Sequence, residues 1–401
     1  MAVIAVVGIG ADGWAGLGDA ARAAILGAEE IIGSARQLAL LPPEATAATR
    51  AWPSPLAPLL DELAARANGG PTCVLASGDP MLHGIGATLA RRLGAERIAV
   101  HPQPSAFALA CARLGWPAAE VELVSAVARP PEVVARALAP GRRIVAYVTG
   151  EDGAAQVARV LCERGYGPSR LVVLERLGAP EERVLESTAR AFDEAADPLH
   201  TVAIECRPSP GIQPLARTPG LPDDAYEHDG QLTKRHVRAL TIAALAPLLG
   251  ELLWDVGAGA GSIASEWLRA EPGARAIAVE QDPERAARAA ANALRLGVPE
   301  LDVRAGRAPD ALGGLPAPDA IFVGGGLTAS GMLDACLAAL RPGGRLVANA
   351  VTLEGEQLLA AARAAHGGTL TRIEIAHAEP LGGYTSWRPQ RPVVQWAVRP
   401  A

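Results

Sequence analysis

Residues Asp255–Gly261 read Asp-Val-Gly-Ala-Gly-Ala-Gly and directly follow the apolar run Leu252-Leu253-Trp254. A second apolar run, Ala276–Val279, ends on the acid Glu280. An apolar strand, a glycine loop and an acid closing the next strand form a nucleoside-binding pattern. Gly257, Gly259 and Gly261 let backbone approach a ligand, and the following helix N-terminus supplies a positive dipole end. An acid at the second strand end can accept both hydroxyls of a ribose. Dinucleotides and S-adenosylmethionine (SAM) both use such a crevice. The dinucleotide fingerprint needs a glycine where this chain has Ser262. SAM has no pyrophosphate to cradle, so the loop favours SAM.

The remaining composition bounds the partners. A chain of 401 residues has room for two or three domains. A net charge of −6 without a long basic run argues against nucleic acid. Cys73, Cys111, Cys162, Cys206 and Cys336 are isolated and lack metal-ligand spacing, so neither a metal site nor a disulfide framework is expected. The chain opens on a strand pattern without a basic leader, and no apolar stretch reaches about 18 residues. These features lead to the expectation of a cytoplasmic protein without a membrane span. Lys234 is the only lysine among many arginines, which marks a possible need for a compact ammonium.

Along the first half, short apolar runs alternate with helical patterns. Strands are expected at Val3–Val7, Cys73–Ala76, Arg97–Val100, Val121–Val124, Ile144–Val148, Leu171–Leu174 and Thr201–Glu205. Helices are expected at Gly84–Leu93, Ala106–Leu114, Glu132–Leu138 and Ala154–Arg164. Gly115-Trp116-Pro117 reads as a break between two lobes. Residues Arg207–Pro222 contain five prolines and two glycines, a density that reads as a linker. Beyond it, strands are expected at Leu252–Val256, Ala276–Glu280, Leu301–Arg304, Ala320–Val323, Leu346–Ala350, Leu370–Ala376 and Val393–Val398. Asp282-Pro283 caps a helix over Pro283–Leu296, and another runs Met332–Leu340. This series predicts a mostly parallel sheet with a late antiparallel pair.

Gly8-Ile9-Gly10-Ala11-Asp12-Gly13 formally matches the dinucleotide fingerprint. However, Glu29 and Glu30 precede the next apolar pair, Ile31-Ile32, whereas ribose recognition needs the acid at the far end. Ser77-Gly78-Asp79-Pro80 follows a strand at the end where α/β sheets bind ligands.

The first half resembles the tetrapyrrole methylase family, through Gly8–Gly10, Ser77–Pro80 with Gly84–Gly86, Pro104–Phe107 and Ala110–Trp116. The second half resembles class I (Rossmann-like) SAM methyltransferases of the corrinoid pathway. The motifs there are Leu232-Thr233-Lys234, Val237-Arg238-Ala239, Asp255–Gly261, Glu280 and Asn349–Glu354. The expected architecture is α/β, with a two-lobed tetrapyrrole methylase domain over 1–207, a linker over 208–222 and a methyltransferase domain with a seven-stranded sheet over 223–401.

The resemblance implies SAM as methyl donor and a polycarboxylate corrinoid tetrapyrrole as acceptor. It further implies methylation at C5 and C15, loss of carbon dioxide from the ring C acetate, and an oligomeric protein. Expected SAM contacts are Gly10, Gly78, Asp79 and Ser105 in the first half, and Thr233, Asp255, Gly257, Gly259, Gly261, Glu280 and Ala308 in the second. Asp79 can equally cap its own turn. Candidates for decarboxylation are Lys234 as carboxylate partner or proton donor, Arg238 as carboxylate anchor, and Asn349 at a strand end facing the ligand side. Each also has a plain reading as surface or packing residue, as do His236, His366 and His377. Arg388 and Arg391 suit substrate carboxylates or a subunit interface. The alternatives are an NAD-dependent oxidoreductase using the first glycine loop, and a non-catalytic SAM or tetrapyrrole binder.

Overall fold

Strands β1 (Ile4–Ile9), β2 (Glu30–Gly33), β3 (Ala48–Ala51), β4 (Thr72–Ser77) and β5 (Ile98–His101) form an all-parallel sheet ordered β3-β2-β4-β1-β5. A second sheet follows Trp116. It comprises β6 (Val121–Ser125), β7 (Arg143–Tyr147), β8 (Arg170–Glu175), β9 (Arg183–Thr188) and β10 (His200–Glu205), ordered β6-β7-β10-β8-β9. Only the β6–β7 pairing is parallel there. These are the two expected lobes. The computed structural model describes residues 3–65 and 70–400, which fall into two compact units. One comprises Met1–Pro131 with Pro140–Ile212, and the other Glu132–Ala139 with Gln213–Ala401.

The second unit holds β11 (Leu252–Val256), β12 (Arg275–Glu280), β13 (Asp302–Ala305), β14 (Ala320–Val323), β15 (Arg345–Ala350), β16 (Thr369–Ile373) and β19 (Val393–Val398) in one sheet ordered β13-β12-β11-β14-β15-β19-β16. β19 alone runs antiparallel to both neighbours. Successive residues feed opposite cores, as the two-residue repeat of a strand requires. Leu252, Trp254 and Val256 pack with Val323 and Trp396 on one face, while Leu253 packs with Trp267, Leu268 and Phe322 on the other. Burial on both faces explains why these strands read as continuous apolar runs.

Most expected elements appear within a residue or two. The Asp282 carboxylate caps Pro283–Arg295, accepting from the Glu284 and Arg285 amides at 2.9 and 3.2 Å. Two expectations are corrected. Residues Pro131–Ala137 form a 3-10 rather than an α-helix. The strand expected over Leu370–Ala376 ends at Ile373, and a separate hairpin of β17 (Ala376–Leu381) and β18 (Tyr384–Pro389) follows. The proline-rich stretch is partly packed: Leu215 and Leu221 cluster with Tyr226 and Leu296. No described helix is long and apolar enough to cross a membrane.

Candidate active site

The carboxyl ends of β11, β12 and β14 form the second unit's crevice. Gly257, Gly259 and Gly261 all have positive φ (72°, 56° and 71°), a backbone that L side chains avoid. A Cβ on Gly257 would lie 2.6 Å from the Gly325 Cα, so the β11 and β14 loops meet backbone to backbone. Gly324–Gly326 therefore forms the crevice's second glycine wall. Three glycines directly after the apolar run Ala320–Val323 were the unread signal for it.

Glu280 is 4% exposed and orders the loop. Its Oε2 accepts from the Gly259 amide at 2.8 Å, and Oε1 from the Asp282 amide at 3.0 Å. A carboxylate has about four acceptor positions, so capacity for ribose hydroxyls remains. Asp255 is 1% exposed. Its Oδ2 accepts from the Ala264 amide at 3.0 Å, while Oδ1 is buried without a partner among the described residues. Burial, with Glu280 adding repulsion, pushes the Asp255 carboxyl up to about 7. An orphaned carboxyl oxygen poised to ionise suits a cationic ligand group. The residues present therefore fit SAM, whose methionyl ammonium would satisfy Asp255. They do not fit a dinucleotide, because Ser262 occupies the position of the third glycine.

The other second-half candidates divide by surroundings. Ala308 is half-buried against the core on the Trp254 face. Lys234 is exposed, with its Nζ 3.9 Å from Asp223. Thr233 and Arg238 meet: Arg238 donates to the Thr233 and Leu221 carbonyls. Arg238 is wholly buried, also donates to Glu266 at 2.5 Å and Asp223 at 3.2 Å, and stacks 4.7 Å from the Tyr226 ring centroid. It sits among protein partners rather than on a solvated helix face. Glu266, on the helix Ser262–Ala270, also accepts from the Gly220 and Leu221 amides at 2.6 and 2.9 Å and from the Tyr226 hydroxyl at 3.2 Å. This clamp draws the incoming chain onto the cofactor-loop helix. Asn349 donates to the Thr241 hydroxyl at 3.0 Å, and the Gln395 amide bridges back to both.

In the first unit, the loops after β1, β4 and β5 converge. A Cβ on Gly8 would fall 1.9 Å from the Gly78 carbonyl oxygen, whereas one on Gly10 would meet only the movable Asp12 carboxylate. Gly78 has φ +57° and touches the backbone of Pro104 and Ser105. Asp79 caps its own turn, accepting from the Met81 amide at 2.8 Å. Ser105 caps Ala106–Leu114 through the Ala108 amide at 3.1 Å. Glu30 begins β2 instead of ending it, so no acid stands at that strand's ligand end. Sequence reasoning missed Tyr147, whose hydroxyl accepts from the Phe107 amide at 3.0 Å. Burial raises its phenol pKa, and Asp79 contributes.

Both halves thus carry a glycine-lined crevice at the carboxyl ends of a parallel sheet, and known families match each. The tetrapyrrole (corrin/porphyrin) methylase model matches residues 3–193, and the precorrin methyltransferase domain model matches 224–400. The precorrin-6Y C(5,15)-methyltransferase (decarboxylating) of Sinorhizobium sp is 48% identical over 395 residues, covering 98% of this chain and 95% of that protein. The Mycobacterium tuberculosis (strain CDC 1551 / Oshkosh) protein of the same name is 47% identical, covering 99% of each. The C-terminal domain of the Rhodobacter capsulatus precorrin-6Y C5,15-methyltransferase is 48% identical, covering 46% of this chain and 100% of that one, at a TM-score of 0.44. The chain joins two methylase units of tetrapyrrole chemistry. It belongs to the precorrin-6Y C(5,15)-methyltransferase (decarboxylating) family.

Proposed function

We propose that this protein transfers methyl groups from SAM to C5 and C15 of a corrinoid tetrapyrrole and removes carbon dioxide from the ring C acetate, as a step of cobalamin biosynthesis. The observation that carries the reading is the second unit's crevice, where the unpartnered Asp255 oxygen and Glu280 flank a loop of positive-φ glycines. The first unit is assigned C5, and the second C15 and the decarboxylation.

SAM brings an already activated sulfonium methyl. The chain's own residues bind, orient and exclude water. In the second unit, Asp255 would hold the methionyl ammonium, Glu280 the ribose, and Gly257, Gly259 and Gly261 the backbone cradle, with Ala308 leaving room for adenine. In the first unit, Gly10, Gly78, Asp79 and Ser105 line the corresponding loops. Decarboxylation breaks the bond to the carboxylate, moves its electron pair into the conjugated ring and returns a proton to the carbon. Lys234 is the proposed proton donor or carboxylate partner. Arg238 and Asn349 act by positioning, since their polar groups already bind protein atoms.

The hairpin β17–β18 leaves Leu381, Tyr384 and Trp387 exposed at 65%, 85% and 73%. Together with the family resemblance, this supports a homo-oligomer packed through the hairpin, testable by sedimentation of Trp387→Ser. The functional reading is tested by incubating the protein with SAM and the reduced precorrin-6 substrate. A product gaining two methyl groups and losing carbon dioxide is expected. Tight NADH binding without SAM binding would instead favour an oxidoreductase, and SAM binding without S-adenosylhomocysteine formation a non-catalytic binder.

A further inference from the structure

Two histidines far apart in sequence meet at the same edge of the second unit's sheet as the crevice. β15 and β16 both run antiparallel to β19, so they are parallel to each other and their carboxyl ends share one edge of the sheet. That edge also holds the ends of β11 and β12, and hence Asp255 and Glu280. The hairpin leaves the sheet after Ile373 and re-enters at Val393, register partners at this same edge. The helix Arg235–Leu245 begins there too, because Val237 packs with Ile373 and Val393, and Thr241 binds Asn349 and Gln395. His236 on this helix and His377 at the hairpin root stand with ring centroids 5.5 Å apart.

The pair lacks an acidic partner among the described residues. Glu374 is taken by Arg372 at 2.6 Å, Glu379 by Arg388 at 2.9 Å, and Asp223 by Arg238 at 3.2 Å. Gln390 holds the His377 Nε2 at 2.9 Å, which fixes the ring and leaves Nδ1 available. His236 is exposed, and Lys234 lies two residues before it. A carboxylate bound at the two rings would accept one N–H from each imidazole, the Nδ1–H of His377 among them because its Nε2 accepts from the Gln390 amide.

We propose that His236 and His377 form a carboxylate-receiving site on the acceptor side of this crevice, binding one acidic side chain of a polycarboxylate tetrapyrrole. This rests on the functional reading above. Gln390 is a positioning residue for it.

The test compares wild type, His236→Gln, His377→Gln and the double variant as full chains. The KM for the acceptor is read from carbon dioxide release at saturating SAM. The double variant is expected to raise it at least tenfold, with the KM for SAM and the melting temperature unchanged. An unchanged acceptor KM, or an equal rise in the KM for SAM, overturns the proposal. Should the double variant melt early, exposed His236→Gln alone must still raise the acceptor KM at least threefold. If wild type releases no carbon dioxide, the functional reading fails by itself. The site is then read by fluorescence titration with uroporphyrin, a stable octacarboxylate tetrapyrrole. Tenfold weaker binding to the double variant supports the site, and equal binding overturns it.

Discussion

The Asn349 side-chain carbonyl accepts from the Gln395 amide at 3.0 Å, and the two residues are register partners on β15 and β19. Both also bind the Thr241 hydroxyl, which in turn donates to the Val237 carbonyl at 2.8 Å. The triangle fixes the helix Arg235–Leu245 against the ligand end of the sheet. Asn349→Ala would remove one of the two amide donors to Thr241 and leave one buried Gln395 N–H without its acceptor, a loss of about 1–3 kcal/mol. Denaturant unfolding should show that loss with or without SAM.

Gly8 and Gly10 separate sharply. The Gly78 carbonyl is backbone and cannot yield, so Gly8→Ala should abolish SAM binding to the first unit. Gly10→Ala should retain it, because the obstructing Asp12 carboxylate can rotate. Calorimetric stoichiometry should fall from two SAM per chain to one for Gly8→Ala only.

Asp255 gives the second crevice a pH signature. Its folded-state pKa of about 7 exceeds the ordinary 3.8. Its contribution to stability is thus fully present below about pH 4, falls as pH rises towards 7, and is level beyond. SAM binding runs oppositely, since the ligand's ammonium favours the carboxylate. With the first site silenced by Gly8→Ala, SAM affinity should rise roughly tenfold per pH unit up to about 7 and then level off. Asp255→Asn should bind weakly without that slope.

The clamp on Glu266 sets where the second unit can be cut. A fragment from Gln213 keeps Gly220, Leu221 and Tyr226 on Glu266, together with the Leu215 carbonyl that accepts from Arg269 at 2.9 Å. It should fold, bind SAM, methylate C15 and decarboxylate. A fragment from His228 strips these partners and should melt well below it. Arg238→Ala, which abandons a buried carboxylate, should cost about 3–5 kcal/mol.

Lys234→Arg should preserve stability, because an exposed pair at 3.9 Å is worth about 0–1 kcal/mol. A loss of carbon dioxide release without loss of stability would identify the lone lysine as chemical rather than decorative.

Elements whose apolar residues face a core were legible. Leu252–Val256, Ala320–Val323, Ala106–Leu114 and Val393–Val398 match their expected bounds. β3, the edge strand Ala-Thr-Arg-Ala, was not legible, and neither was the hairpin β17–β18. Their side chains are largely exposed, so no burial pattern marks them. At the proposed site, Asp255, Glu280 and the loop glycines could be grouped from sequence because strand, loop and next strand are consecutive in the chain. The Arg238–Glu266 clamp and the Asn349–Gln395–Thr241 triangle could not, because long-range pairing creates them. Arg238 reads as the anchor of a substrate carboxylate, with a solvated helix face as the plain alternative, and its Glu266 partner goes unread because it lies 28 positions away.

The nine-residue helix Ser262–Ala270 has the cofactor loop at its N-terminus and the Glu266 clamp one turn in. Any opening that frees Gly220 and Leu221 must therefore loosen the segment that shapes the glycine loop. The Gly220 and Leu221 amide hydrogens should exchange with deuterium more slowly once SAM is bound, although neither residue need touch the ligand. In this way a proline-rich stretch that reads as a tether becomes a reporter of cofactor occupancy.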